Sequence, residues 1–152
     1  MQAIDVKDDI KNVLFTKEEI NAKVAELAAR IDEDYAGKDV LLVGVLKGAI
    51  MVRADLSRAL KGHYTMDWMA VSSYGSGTKS SGVVRILKDL DTDLVGRDVL
   101  IVEDIIDSGL TLAWLQQNLI SRGAATVEIC ALLRKPKVVK ADVNVKYVGW
   151  DI

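Results

Sequence analysis

The sequence predicts an α/β fold, a mostly parallel, Rossmann-like sheet flanked by helices. Three observations carry this expectation. Val40–Leu46, Asp98–Val102 and Thr126–Leu133 are short, nearly all-apolar runs, as strands are when both faces of a sheet are covered. Stretches of helical period lie between such runs. The two kinds of segment alternate along the chain, the order that builds parallel sheets.

The elements follow in order. Thr16-Lys17-Glu18-Glu19 fits a capping box and marks a helix start. Ile20, Val24, Leu27 and Ile31 then share one helical stripe, and Gly37 ends the segment. Val40–Leu46 is the first strand, broken by Lys47-Gly48, and Ile50–Leu60 returns to helix. Tyr64–Ser73 reads as a strand, Tyr74–Gly82 as a flexible Gly/Ser hairpin loop, and Val83–Leu87 as the strand that answers it. Gly96-Arg97 marks a turn before the strand Asp98–Val102. A helix is expected over about Thr111–Ser121, with Gly123 as its stop. Thr126–Leu133 and Val145–Trp150 complete the strands, with Pro136, the only proline, beyond the first of them.

The 152 residues, half of them hydrophobic, suit a single domain over 1–152. A formal charge of −2, with both signs interspersed, argues against a general nucleic-acid binder. The one cysteine, Cys130, sits in an apolar run and reads as a small buried hydrophobe, so no disulfide framework or cysteine zinc site is expected. The one histidine, His63, follows Lys61-Gly62 in a turn and is expected at the surface, which leaves histidine-dependent triads without support. The N-terminus lacks the apolar core of a signal peptide, and no apolar run approaches the ~20 residues of a membrane span. A soluble, cytoplasmic protein is expected.

Residues 100–115 read LIVEDIIDSGLTLAWL. A strand-to-helix turn presents unpaired N–H groups at the positive end of the helix dipole, and a phosphate fits there without a lysine. Gly109 lets the backbone approach, and Ser108 and Thr111 add hydroxyls. The plain alternative is an ordinary helix start capped by Asp107 or Ser108. Glu103-Asp104 favours the ligand. Adjacent acids at the end of a buried strand call for a partner, and diol hydroxyls or Mg²⁺ are natural ones.

The string VLIVEDIIDSGLT closely resembles the phosphoribosyl pyrophosphate (PRPP) motif of type I phosphoribosyltransferases, in their hypoxanthine-guanine branch, and the resemblance runs from about Phe15 to Ile152. It implies that Glu103 and Asp104 hold the ribose hydroxyls, together with Mg²⁺. It implies that Asp107, Ser108, Gly109, Leu110 and Thr111 cradle the 5′-phosphate, and that Asp107, beside the purine N7, is the general base. Leu46-Lys47-Gly48 matches the pyrophosphate loop, where a non-proline cis peptide often precedes the lysine; alone it would read as a solvent lysine after a strand. Ser73 and Tyr74, in SSYGSGTKSSGVV, match a catalytic loop that covers the pyrophosphate and excludes water. Gly77-Thr78-Lys79-Ser80 within it is not a P-loop. Lys135 matches a purine-binding lysine. Its ammonium is donor-only and so favours a 6-oxopurine; alone it would read as a surface residue of RKPK.

The resemblance thus implies a Mg²⁺-dependent purine salvage enzyme, with PRPP and a 6-oxopurine base as substrates, a homodimer or homotetramer, and no nucleic acid or membrane as partner. One departure stands against the family pattern. The family continues into a short hood that stacks an aromatic ring on the purine and reads its edge, and no such residues follow Ile152 in this sequence. Either the sequence is part of a longer chain, or the domain lacks its hood and with it much of the base pocket. That keeps open a second reading, a non-catalytic PRPP- or nucleotide-sensing regulator on the same fold, including one that binds RNA. Trp150, at a strand position of the family, is assigned to packing.

Overall fold

Thr16 caps the first long helix as its sequence predicts. Its Oγ1 accepts from the Glu19 N–H at 3.2 Å, and Glu19 Oε2 accepts from the Thr16 N–H at 2.7 Å. In the computed structural model, which describes residues 2–74 and 83–152, this helix is α1, Lys17–Asp34. It is followed by β1 (Val40–Leu46), α2 (Ile50–Ala59), β2 (Tyr64–Tyr74), β3 (Val83–Lys88) and β4 (Asp98–Ile106). Then come α3 (Leu110–Ser121), β5 (Thr126–Arg134) and β6 (Tyr147–Asp151). A 3₁₀ turn at Ala3–Val6, which no periodicity announces, precedes them. From residue 75 to 82 the expected hairpin loop lies outside the described residues.

The strands form one six-stranded sheet in the order β3-β2-β1-β4-β5-β6. Every pairing is parallel except β2 with β3. The mostly parallel sheet expected from the sequence is therefore present. Strand alternation sends Leu41, Val43, Val99, Ile101, Ile129 and Ala131 to one face, where Leu112, Leu115 and Leu119 of α3 cover them. Val40, Leu42, Leu100, Val102 and Cys130 face the other way, onto Val24, Leu27 and Ile31 of α1 and Leu56 of α2. Burial of the Cys130 thiol pushes its pKa up to about 12, so it is a packing residue rather than a nucleophile. His63 is exposed. Trp150 stacks on Phe15 with ring centroids 4.0 Å apart, which ties the segment before α1 to the edge strand β6.

Successive strands run outward from β1 on one side and from β4 on the other. The order therefore reverses between β1 and β4, and the crevice at their carboxyl ends is where such sheets bind ligands.

Candidate active site

β4 is longer than its apolar run suggests. Ile105 and Ile106 stay paired with Leu133 and Arg134 of β5, so Glu103 and Asp104 lie inside the strand rather than beyond it. Side chains alternate across a strand, and the adjacent acids consequently point different ways. Glu103 lines a cavity of about 170 Å³ together with Asp107, Ser108, Gly109 and Thr111. Asp104 turns to the neighbouring loop, where a Cβ built on Gly48 would lie 2.5 Å from its Oδ2. The Asp104 Oδ1 also accepts from the Ile105 N–H at 2.8 Å. Burial, reinforced by the Asp104 charge, pushes the Glu103 pKa up to about 8, so unliganded Glu103 is largely protonated at neutral pH.

The turn from β4 to α3 is built around Gly109. It is the N-cap residue of α3, with φ 77° in the left-handed region, and no side chain caps the helix. Neither Asp107 nor Ser108 takes that role; Ser108 Oγ accepts from the Leu110 N–H over a long 3.4 Å. First-turn N–H groups of a 12-residue helix therefore face the cavity end of the site, where an anion is favoured. A segment that sequence reasoning passed over supports this turn from behind. The Ser108 carbonyl accepts from the N–H groups of Lys140 at 2.9 Å and Ala141 at 3.3 Å. Val139 and Val143 pack toward Gly109. These contacts join residues far apart in sequence within irregular chain, and the only local hint is a scatter of valines after Pro136.

Leu46 ends β1, and Lys47 and Gly48 follow it into the same crevice, both exposed, with the Leu46–Lys47 peptide cis. Lys135 leaves the end of β5 with its Nζ 3.9 Å from Asp107 Oδ1, and its N–H donates to the Ile106 carbonyl at 2.9 Å. Leu110 is half-buried at the start of α3. Ser73 and Tyr74 end β2, where they pair with Val84 and Val83 beyond the last β1–β2 pair, Leu46–Ala70. Ser73 is exposed and is not among the described residues lining the cavity. The structure thus gathers Glu103, Asp107–Thr111 and Lys135 in one place and sets Gly48 against Asp104, while Ser73 and Tyr74 stand further along the sheet.

The arrangement offers a phosphate seat, carboxylates beside it, and a cation next to one carboxylate. Comparison with known proteins shows the family. Residues 13–152 match the phosphoribosyl transferase domain. The chain is 57% identical over 150 residues to a hypoxanthine-guanine phosphoribosyltransferase of Mycobacterium tuberculosis (strain ATCC 25618 / H37Rv), covering 95% of this chain and 74% of that protein. It is 48% identical over 147 residues to the enzyme of the same name from Bacillus subtilis (strain 168), covering 97% and 82%. A crystal structure of a hypoxanthine phosphoribosyltransferase from Staphylococcus aureus superposes with a TM-score of 0.94 at 44% identity, covering 97% of this chain and 80% of that one.

Proposed function

Because this chain belongs to the phosphoribosyl transferase family, we propose that it transfers ribose 5-phosphate from PRPP to hypoxanthine or guanine in purine salvage, forming IMP or GMP and pyrophosphate. The observation that carries the reading is the shared cavity at the β4–α3 turn. Glu103 and Asp107 line it beside the uncapped start of α3, so carboxylates and an anion seat serve opposite ends of one ligand.

Each residue has a chemical task in this reading. Ser108–Thr111 seat the 5′-phosphate through N–H and hydroxyl donors. Glu103 and Asp104 accept from the ribose hydroxyls. Lys47 and Gly48 hold the pyrophosphate, and Ser73 and Tyr74 cover it. A purine ring nitrogen attacks C1′ as the bond from C1′ to the pyrophosphate oxygen breaks, and the electron pair leaves with pyrophosphate. The proton on N7 passes to the Asp107 carboxylate, a step typically worth ~10²–10⁴ in rate. Carboxylate charge close to the sugar favours the oxocarbenium character of C1′. Lys135 donates to the purine 6-oxo group, which the 6-amino group of adenine cannot accept.

Mg²⁺ fits the donor set in a limited way. Among the described residues no group of three or more acidic, histidine or cysteine side chains forms a cage, but Mg²⁺ is commonly held by one or two carboxylates plus substrate phosphates. Glu103 and Asp104 would hold it with PRPP. When bound, the ion offsets the charge of the pyrophosphate leaving group. No helix among the described residues is long and apolar enough to cross a membrane. The reading extends to a cytoplasmic homodimer or homotetramer.

The test is a panel in which the protein, PRPP and Mg²⁺ meet hypoxanthine, guanine, xanthine and adenine separately, with nucleotide formation followed by absorbance. IMP and GMP are expected; no nucleotide from any base sinks the reading.

A further inference from the structure

Lys135 is the first residue beyond β5, and its long side chain can aim at a purine only if its backbone origin is held. Two neighbours hold it. On one side its N–H donates to the Ile106 carbonyl at 2.9 Å, next to Asp107. On the other, the preceding residue, Arg134, sits opposite Asp151, the last residue of β6. There the guanidinium makes a fork, Nε to Asp151 Oδ1 at 2.7 Å and Nη2 to Oδ2 at 3.0 Å. The Ile152 N–H adds a bond to the Arg134 carbonyl at 2.9 Å. β6 has five residues and, among the described residues, pairs only with β5, so the fork is a side-chain tie across the last pair of the two strands.

We propose that the Arg134–Asp151 fork is a positioning device for Lys135, and through it a determinant of the preference for 6-oxopurines over 6-aminopurines. The inference rests on the role of Lys135 given above. Both partners are partly exposed, and isolated exposed ion pairs add little to stability. Bidentate geometry supplies direction instead, since planar guanidinium and carboxylate lock in one orientation. The fork closes the end of β6 onto β5 and leaves the Arg134–Lys135 backbone one path out of the sheet. The carbonyl of Lys135 in turn accepts from the Val138 and Val139 N–H groups at 3.0 and 3.2 Å. The direction set at Arg134 therefore reaches the segment that backs the phosphate turn.

The experiment is steady-state kinetics of Asp151→Ala, Asp151→Glu and Arg134→Lys beside the unaltered protein, with hypoxanthine and adenine as bases. Asp151→Ala is expected to raise the KM for hypoxanthine about tenfold and to narrow its advantage over adenine, with the KM for PRPP within about twofold. Asp151→Glu, which keeps the charge, should recover most of the loss. Arg134→Lys keeps a cation but not the fork, so it should show the same split; it carries the test if Asp151→Ala does not fold. An unchanged KM for hypoxanthine, or equal rises in both KM values, would overturn the proposal. Absence of nucleotide formation by the unaltered protein would instead remove the functional reading on which it stands.

Discussion

Gly48 rests on Asp104. A Cβ at position 48 would come within 2.5 Å of Oδ2 and 3.0 Å of Cγ, so the loop after β1 and an acid of β4 share one small space. The loop proposed to hold the pyrophosphate and an acid proposed to bind the sugar are thereby a single unit, built at the point where the strand order reverses.

Gly48→Ala tests that unit. The added methyl must displace the Asp104 carboxylate or the loop itself. The KM for PRPP should rise about tenfold or more, with a much smaller change in the KM for the base. Initial-rate kinetics with each substrate varied will separate the two; equal KM changes would contradict the coupling.

Glu103 makes the stability of the unliganded protein depend on pH. Its pKa is raised to about 8 in the folded chain, so between the ordinary carboxylate range and pH 8 the folded state holds a proton that the unfolded state has lost. Stability therefore falls as pH rises through that window. Glu103→Gln should flatten the slope and raise Tm by about 3 °C at pH 8, with little gain at pH 5. Thermal melts across pH 5–8 check this, and a parallel curve for the variant would refute it. The same variant should weaken PRPP binding, since the acid is then unable to serve the ribose.

Gly109→Ala separates conformation from crowding. The nearest atom to its Cβ would be Val143 Cγ2 at 3.5 Å, an ordinary contact. The cost is instead the left-handed φ of 77°, about 1–2 kcal/mol for an L side chain. A loss of several °C in Tm is expected, together with weaker PRPP binding measured by calorimetry. A variant that melted and bound like the parent would show that the turn does not need glycine.

Lys135→Ala should relax base choice. Its Nζ is 3.9 Å from Asp107 Oδ1, close enough to serve the same purine edge region as the proposed base. Removing one charged hydrogen bond costs ~1.5–3 kcal/mol, so hypoxanthine should lose roughly 10–100-fold in kcat/KM while adenine loses little. Competition assays report the ratio directly, and unchanged selectivity would remove Lys135 from the purine site.

Local signals carried much of this architecture. The Thr16–Glu19 box, the Ile20–Ile31 stripe and the apolar strands are written in short windows, because capping and periodic burial depend on near neighbours. The acid pair was legible as chemistry but not as geometry. Polar side chains suggested that β4 stopped at Val102, whereas pairing with β5 carries it to Ile106 and sends Glu103 and Asp104 different ways. Gly109 was legible as a close-approach residue, yet its place as the helix cap follows from the backbone of the whole turn. The support from Lys140 and Ala141 behind Ser108, and the fork between Arg134 and Asp151, join distant stretches and leave no trace in any window. Tertiary pairing decided those features.

The central claim is that Asp107 acts on the base while the turn beside it binds the phosphate. Asp107 is exposed at the mouth of the cavity, not the cap of α3, so its carboxylate is free of the turn's own construction. Asp107→Asn keeps the shape and removes the proton acceptor. The decisive measurement is kcat of this variant with hypoxanthine beside its Kd for PRPP. The account predicts a fall in kcat of ~10²-fold or more with the Kd for PRPP within a few-fold of the parent. Full kcat, or a Kd that weakens as steeply as kcat falls, would contradict it.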